Sequence, residues 1–99
     1  MRRSRLNPIS KKRRSQLAER KRVREFVLAR DNGCVGKALV SWVECAGPID
    51  VHEVVRRSQD STAWLNPELC ISLCRSHHSY THDNPGVAYQ IGLLRRRSA

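Results

Sequence analysis

Apolar residues in the N-terminal third of the chain recur with a helical period. Their spacing of i, i+3 and i+4 places them on one helix face; they are Val23, Phe26 and Val27. We predict a helix that begins at Ser10 or Ser15 and ends at Arg30. The residues that follow, Asn32 and Gly33, favour the positive φ angles that end helices.

Two later stretches alternate between apolar and polar residues, which predicts short β-strands. The first covers residues 49–55, with Val51 and His52 on opposite faces. The second covers residues 69–73 and leads directly into Cys74. Between Cys34 and the first strand, residues 38–43 are expected to form a loop or a short hairpin.

The C-terminal third carries the signals of two short helices. Residues 75–83 suit the first, and Asn84 followed by Pro85 starts the second, because a capping residue and then proline is typical of a helix N-terminus. The elements together predict an α+β fold in which a small two-stranded unit is flanked by a basic N-terminal helix and a short C-terminal helix.

Charge is unevenly distributed along the 99 residues, whose formal net charge is +10. Residues 1–30 hold twelve of the 19 Lys and Arg residues against two acids, Glu19 and Glu25. We therefore divide the chain into a basic arm, residues 1–22, partly helical or disordered, and a folded domain, residues 23–99. Such an arm neutralises phosphates without reading sequence, although a solvated tail has the same composition.

A chain of this length buries too little surface for its core alone to make it stable, so a covalent or metal cross-link is expected. The four cysteines allow disulfides or a metal site. No apolar run resembles a secretory signal or a membrane span, and we expect a protein of a reducing cytoplasm that has no membrane partner. Zinc is then the favoured cross-link.

The strongest zinc signal is the pair Cys74 and His77, because the spacing C-x2-H lets two donors from one turn reach one tetrahedral ion. Cys34 and Cys45 can supply the other two ligands if the chain returns between them. The alternative is that both are ordinary small core residues. We expect Cys70 to be a buried free thiol.

The other three histidines form a second candidate set. His78 and His82 lie at i and i+4 and share a helix face, which can point toward His52 on the first strand. Asp50 shares the strand face of His52 and could orient or replace it as a ligand. Imidazoles with open coordination positions suit a catalytic divalent ion that binds a phosphate oxygen. Alternatively, His82 only caps its helix.

The chain resembles the HNH endonucleases, in particular small phage-type members with an added zinc knuckle. The resemblance spans about residues 30–94 through the stretches RDNGC, CAGPIDVHEVVRRS, NPELCISLCRSHHSYTH and NPGVAYQIGLL. It implies a ββα-metal fold and metal-dependent hydrolysis of DNA phosphodiester bonds, by nicking or double-strand cleavage. It also implies an origin in a phage or mobile element.

The resemblance assigns His52 and His78 to a catalytic Mg²⁺, Mn²⁺, Ni²⁺ or Zn²⁺, and His82 to a further histidine often found one turn later. It assigns the structural zinc to four residues, Cys34, Cys45, Cys74 and His77. Glu53 stands where many relatives have the histidine that activates water, so either Glu53 or His52 is the expected base. Glu53 could instead pair with Arg56 or Arg57. Asn66, three residues before the position of the family asparagine, is the candidate for that role.

DNA is the expected partner, bound mostly through its phosphates. The candidate contacts are six arginines: Arg13, Arg14, Arg20, Arg56, Arg57 and Arg75. Two other interpretations stay open. One is a zinc-containing DNA-binding module that has lost its activity, and the other is an accessory protein of a phage packaging machine.

Overall fold

The computed structural model describes residues 10–96, which form a small α+β fold around one antiparallel pair of strands. Its regular elements are the helices α1 (Lys11–Asp31), α2 (Gly36–Leu39), α3 (Arg75–Asp83) and α4 (Pro85–Ile91), and the strands β1 (Ile49–Glu53) and β2 (Cys70–Cys74). Two 3₁₀ turns, Ala63–Leu65 and Pro67–Leu69, precede β2. Residues 1–9 of the predicted arm lie outside the described residues.

Helix α1 begins and ends where the local signals predict. The Ser10 hydroxyl accepts a hydrogen bond from the backbone N–H of Arg13 at 3.1 Å, which satisfies one of the free donors of the first turn. Asn32 has a φ of 49° and ends the helix by donating its N–H to Leu28. The helix runs unbroken through residues 22 and 23, where we placed the start of the folded domain.

The apolar face of α1 is narrower than predicted. Val23 and Val27 are buried against Val51 and Cys70, whereas Phe26 is 56% exposed. Phe26 points about 60° away from Val23 around the helix axis, which moves its side chain off the stripe that meets the sheet. Phe26 is therefore not part of the buried face that Val23 and Val27 form.

The two strands pair in a register that directs alternate residues to different helices. Val51 lies opposite Ser72, and both are on the face covered by α1. His52 lies opposite Ile71 on the other face, toward α3 and α4. β1 ends at Glu53, two residues earlier than predicted, because the next carbonyl along the chain already accepts a hydrogen bond from outside the sheet.

The segment between Cys34 and Cys45 contains the short helix α2, which includes the first two residues of the predicted loop or hairpin, while residues 40–43 form turns. The backbone N–H of Val40 donates to the carbonyl of Gly36 at 2.7 Å, and a further turn follows at Val43. One helical turn and one β-turn thus return the chain toward its starting point. None of the helices in residues 10–96 has the length and apolar character needed to cross a membrane.

Candidate metal centres

Four potential ligands converge where α1, β1 and α3 meet. Cys34 follows α1, Cys45 precedes β1, Cys74 ends β2, and His77 lies in the first turn of α3. One donor atom from each lies within 4.8 Å of every other. All four cysteines of the chain are free thiols, so no disulfide competes for these sulfurs. The cluster is able to hold a structural metal such as zinc.

The separations inside this cluster match tetrahedral zinc. Zn–S bonds of about 2.3 Å and Zn–N bonds of about 2.0–2.1 Å give an S···N separation of about 3.5 Å in a tetrahedron. The Nδ1 atom of His77 lies 3.5 Å from the sulfurs of Cys34 and Cys45 and 3.1 Å from that of Cys74. The Cys₃His set therefore has suitable donors at suitable distances.

Hydrogen bonds prepare two of these ligands for a cation. His77 is fully buried, and its Nε2 lies 3.1 Å from the carbonyl oxygen of Val40. A carbonyl can only accept, so Nε2 carries the proton and Nδ1 presents its lone pair to the sulfurs. Burial alone would raise the pKa of the Cys74 thiol, but hydrogen bonds, among them those from the backbone N–H groups of His77 and Ala46, lower it. A lowered pKa favours the thiolate form that zinc requires.

Gly36 leaves room for the imidazole of His77. A Cβ atom added at Gly36 would lie 2.9 Å from Cγ of His77, closer than two carbons normally approach. We expect Gly36→Ala to lower the zinc affinity by about tenfold or more, because the ligand ring must move, and to cost about 1–3 kcal/mol of stability. Competition with a chromophoric chelator measures the affinity.

Gly86→Ala is the matched control, because Gly86 is also helical and has no atom within 4 Å of an added Cβ. This control should keep the zinc affinity and should stabilise the protein slightly, since alanine favours a helix over glycine. Equal zinc affinities for the two variants would show that the close approach of Gly36 to the His77 ring is not needed for zinc binding.

The three other histidines form a second cluster, on the face of β1 opposite α1. One ring nitrogen from each of His52, His78 and His82 lies within 4.8 Å of the others. The Nε2 atoms of His78 and His82 are 3.1 Å apart. Adjacent ligands at about 2.1 Å from one ion would be separated by about 3.0 Å in an octahedron and about 3.4 Å in a tetrahedron. The pair therefore has the spacing of two ligands of one ion.

The surroundings of His52 hold its imidazole in the neutral form. Its Nε2 lies 2.8 Å from the carbonyl oxygen of Leu93, so Nε2 carries the proton and Nδ1 keeps a free lone pair. Burial lowers the pKa of His52 to about 4; the Leu93 carbonyl opposes this shift, and the nearby His78 and His82 add to it. The pKa of His78 is also lowered, mainly by burial.

The histidine cluster lines an open cavity of about 330 Å³. The same cavity is lined by Glu53, Arg56 and Arg57, so charged side chains surround the imidazoles. Arg56 and Arg57 are exposed and can reach an anion that enters from solvent. The arrangement brings together the predicted metal ligands and two of the predicted phosphate contacts.

Glu53 forms ion pairs on both sides. One carboxylate oxygen accepts from Arg57 at 3.0 Å, which is one of the pairings considered above, and the other accepts from Arg20 at 3.1 Å. Arg20 also donates to the carbonyl of Trp64 at 2.6 Å, and its side chain is 15% exposed. Arg20 is thus directed into the protein. A contact with DNA would require a side chain that faces solvent.

Among the described residues, neither Asn66 nor Asp50 forms a hydrogen bond with the three histidines. The Asn66 side-chain oxygen caps a 3₁₀ turn by accepting from the N–H of Glu68 at 3.0 Å, and Asn66 is not among the described residues that line the cavity. Asp50 pairs with Arg24 at 2.8 Å and also accepts from the N–H of Val51. Its carboxylate therefore does not orient His52, whose partner is Leu93.

The remaining candidate arginines lie on two parts of the surface. Arg13 stands over the ring of Trp64 at 5.9 Å, and Arg57 stands over the same ring at 4.9 Å. Arg14 lies next to Arg13 on α1 and is exposed. Arg75 opens α3 and is exposed beside the histidines.

Sequence reasoning missed the backbone carbonyls of Val40 and Leu93, which fix the tautomers of His77 and His52. Every residue has such a carbonyl, so no residue type could have indicated them.

Comparison with known proteins gives no family for this chain, so any functional assignment depends on the geometry of these two centres. No family model matches the chain, and no curated protein or solved structure matches it.

Proposed function

We propose that the protein is a metal-dependent endonuclease of the HNH type that hydrolyses DNA phosphodiester bonds. The observation that carries the proposal is the cluster of His52, His78 and His82 in a solvent-open cavity bordered by arginines. A zinc ion in the Cys₃His cluster fixes the start of α3 and so holds two of these histidines in place. The formal net charge of +10 favours a polyanionic substrate.

The three histidines would hold the catalytic ion. Imidazole nitrogens suit Ni²⁺ and Zn²⁺, whereas Mg²⁺ and Mn²⁺ favour oxygen donors and would depend on water and phosphate for the coordination positions that three ligands leave open. Such an ion, when bound, would supply charge stabilisation at the scissile phosphate and lower the pKa of an attacking water. His52 is a ligand in this scheme, because a pKa of about 4 makes it a poor proton acceptor at neutral pH.

The arginines bind and orient the phosphate. Arg56 and Arg57 line the cavity and offer guanidinium donors that match phosphate oxygens. Glu53 accepts from Arg57 and thereby limits its motion. Because both oxygens of Glu53 already receive guanidinium donors, we assign Glu53 to positioning Arg57 and not to removing a proton from water.

A DNA-binding module without catalytic activity is the second candidate. The observations in its favour are that Asn66 caps a backbone turn and that Glu53 is bound in ion pairs, so neither faces the imidazoles as a free catalytic group. Such a module would use the same arginines and the same zinc.

Plasmid cleavage distinguishes the two candidates. Supercoiled plasmid is incubated with the zinc-loaded protein and with Mg²⁺, Mn²⁺ or Ni²⁺, and nicked and linear products are separated on a gel. We expect cleavage with at least one of these ions and none without an added ion. A protein that shifts DNA in a gel but leaves the plasmid intact with every ion would be the binding module.

A further inference from the structure

A second hollow adjoins the histidine cavity, and its charged groups have no role in the scheme above. It has a volume of about 310 Å³ and is lined by residues of α1, β1 and α3, among them Arg24, Asp50, Arg75 and His78. His78 lines both hollows. A DNA strand that places one phosphate at the imidazoles can therefore continue directly into this second hollow. We call it the Arg24 hollow.

One cation of the Arg24 hollow, Arg24 itself, already forms an ion pair with an acidic side chain. The guanidinium of Arg24 lies 2.8 Å from a carboxylate oxygen of Asp50, and the two side chains are 47% and 69% exposed. An exposed pair of this kind contributes at most about 1 kcal/mol to stability, so another anion can replace Asp50 at little cost. A phosphate is such an anion, and it can also accept two parallel bonds from arginine.

Arg75 supplies the second cation of the hollow, and the loop before β1 holds the start of its side chain. A Cβ atom at Gly47 would lie 2.6 Å from Cβ of Arg75, so only glycine permits this close contact. The hydroxyl of Ser76 donates to Glu44 and accepts from Ala46, which fixes the first residues of α3. Within residues 10–96 Arg75 forms no salt bridge, so its guanidinium is available to an anion.

We propose that the Arg24 hollow is a second phosphate-binding site for the DNA strand, in which Asp50 occupies Arg24 until a backbone phosphate replaces it. The proposal rests on the proposed function for the identity of the ligand. Arg24 and Arg75 bind the incoming phosphate, and His78 marks the boundary with the phosphate that reacts. Asp50 acts as an internal competitor, because DNA must displace its carboxylate from Arg24 in order to fill the Arg24 hollow.

Binding measurements on three variants test the exchange. The full-length, zinc-loaded protein is titrated into a short fluorescein-labelled DNA duplex without added divalent ion, and anisotropy is followed at several salt concentrations. Arg24→Gln should weaken binding about fivefold to tenfold at 0.1 M salt and should lower the salt slope by about 0.9, as expected for one lost phosphate contact. Asp50→Asn should tighten binding about twofold to fivefold, because it frees Arg24 from an exposed ion pair.

The double variant decides whether Asp50 acts through Arg24. If it does, Arg24→Gln combined with Asp50→Asn should bind as weakly as Arg24→Gln alone. Asp50→Asn keeps an oxygen that can accept from the N–H of Val51, so the start of β1 keeps its hydrogen bond. Zinc content and melting temperature, measured for each variant, verify that the fold is retained.

Two charge-matched controls separate a site from general attraction. Arg22→Gln removes one exposed positive charge from the same helix, and Glu44→Gln removes one exposed negative charge from the loop before β1. Each control should change the affinity for DNA less than the matching substitution in the Arg24 hollow, Arg24→Gln or Asp50→Asn. Equal effects of Arg22→Gln and Arg24→Gln, or tightening by Asp50→Asn that persists without Arg24, would overturn the proposal, as would a wild type that binds no DNA.

The result is independent of cleavage. If the protein never cuts plasmid but these affinities follow the expected order, the phosphate site stands and the nuclease assignment fails. If the protein cuts plasmid but all variants bind DNA alike, the nuclease assignment stands and the Arg24 hollow is not a phosphate site.

Discussion

Cys74→Ala should abolish zinc binding and leave the protein largely unfolded at 25 °C. Structural zinc in small domains contributes an apparent binding free energy of about 10–16 kcal/mol at neutral pH, while domains as a whole are stable by only about 5–15 kcal/mol. The apolar residues of this chain form three separate buried clusters and not one large core. Loss of the ion therefore removes a contribution as large as the total stability.

Cys74 is also where several elements meet. It is 2% exposed, it ends β2, and its N–H donates to the sulfur of Cys34 at 3.3 Å. Without the metal, the segments that carry Cys34 and Cys45 lose their common attachment to α3. Circular dichroism during heating and zinc quantification by native mass spectrometry give the two readouts.

Cys70→Ala is the matched control, because it removes the same atom from a buried residue of the same strand. Cys70 is 1% exposed, and its sulfur donates to the carbonyl of Ala63 and has no place in either metal cluster. We expect this variant to keep its zinc and to lose about 1 kcal/mol. A Cys74→Ala protein that melts at the wild-type temperature would contradict the structural role of the ion.

His78→Ala should eliminate plasmid cleavage while leaving the zinc and the fold intact. His78 belongs to the histidine cluster but not to the Cys₃His cluster, although His77 is its neighbour in the chain. Losing one of three ligands, together with several kcal/mol of charge stabilisation at the phosphate, should reduce the rate on the order of a thousandfold. The rate is measured as the loss of supercoiled plasmid under the best divalent ion.

Ser79→Ala provides the comparison on the same helix. Ser79 is exposed and adjacent to His78, and it is outside both clusters and both hollows. This variant should cut DNA at the wild-type rate. Cleavage by His78→Ala at a comparable rate, with the same dependence on the divalent ion, would exclude the histidine cluster as the active site.

The parts of the fold that could be predicted depend on signals close together in the chain. Ser10 and Asn32 mark the ends of α1 through their own side chain and backbone angle, and Pro85 marks the start of α4. The spacing of Cys74 and His77 indicated a shared metal because one helical turn separates them. In each case the physical cause lies within a few residues, so the sequence contains it.

The parts that could not be predicted depend on contacts between distant segments. Arg20 pairs with Glu53 across 33 positions, and this partner directs Arg20 away from solvent, where the sequence had predicted a DNA contact. The short helix α2 forms where the sequence indicated only a loop, and Gly36 within it packs against the His77 ring. Asn66 has the right residue type for the site but is engaged by the turn that it caps.

The most direct test of the account is to count the ions that the folded protein binds. Native mass spectrometry of the zinc-loaded wild type in the presence of Ni²⁺ should show one further ion in addition to the zinc. A variant in which His52, His78 and His82 are all replaced by alanine should keep the zinc and bind no further ion. A wild type that never takes a second ion, or a triple variant that takes it equally well, would contradict the claim that these imidazoles share a metal.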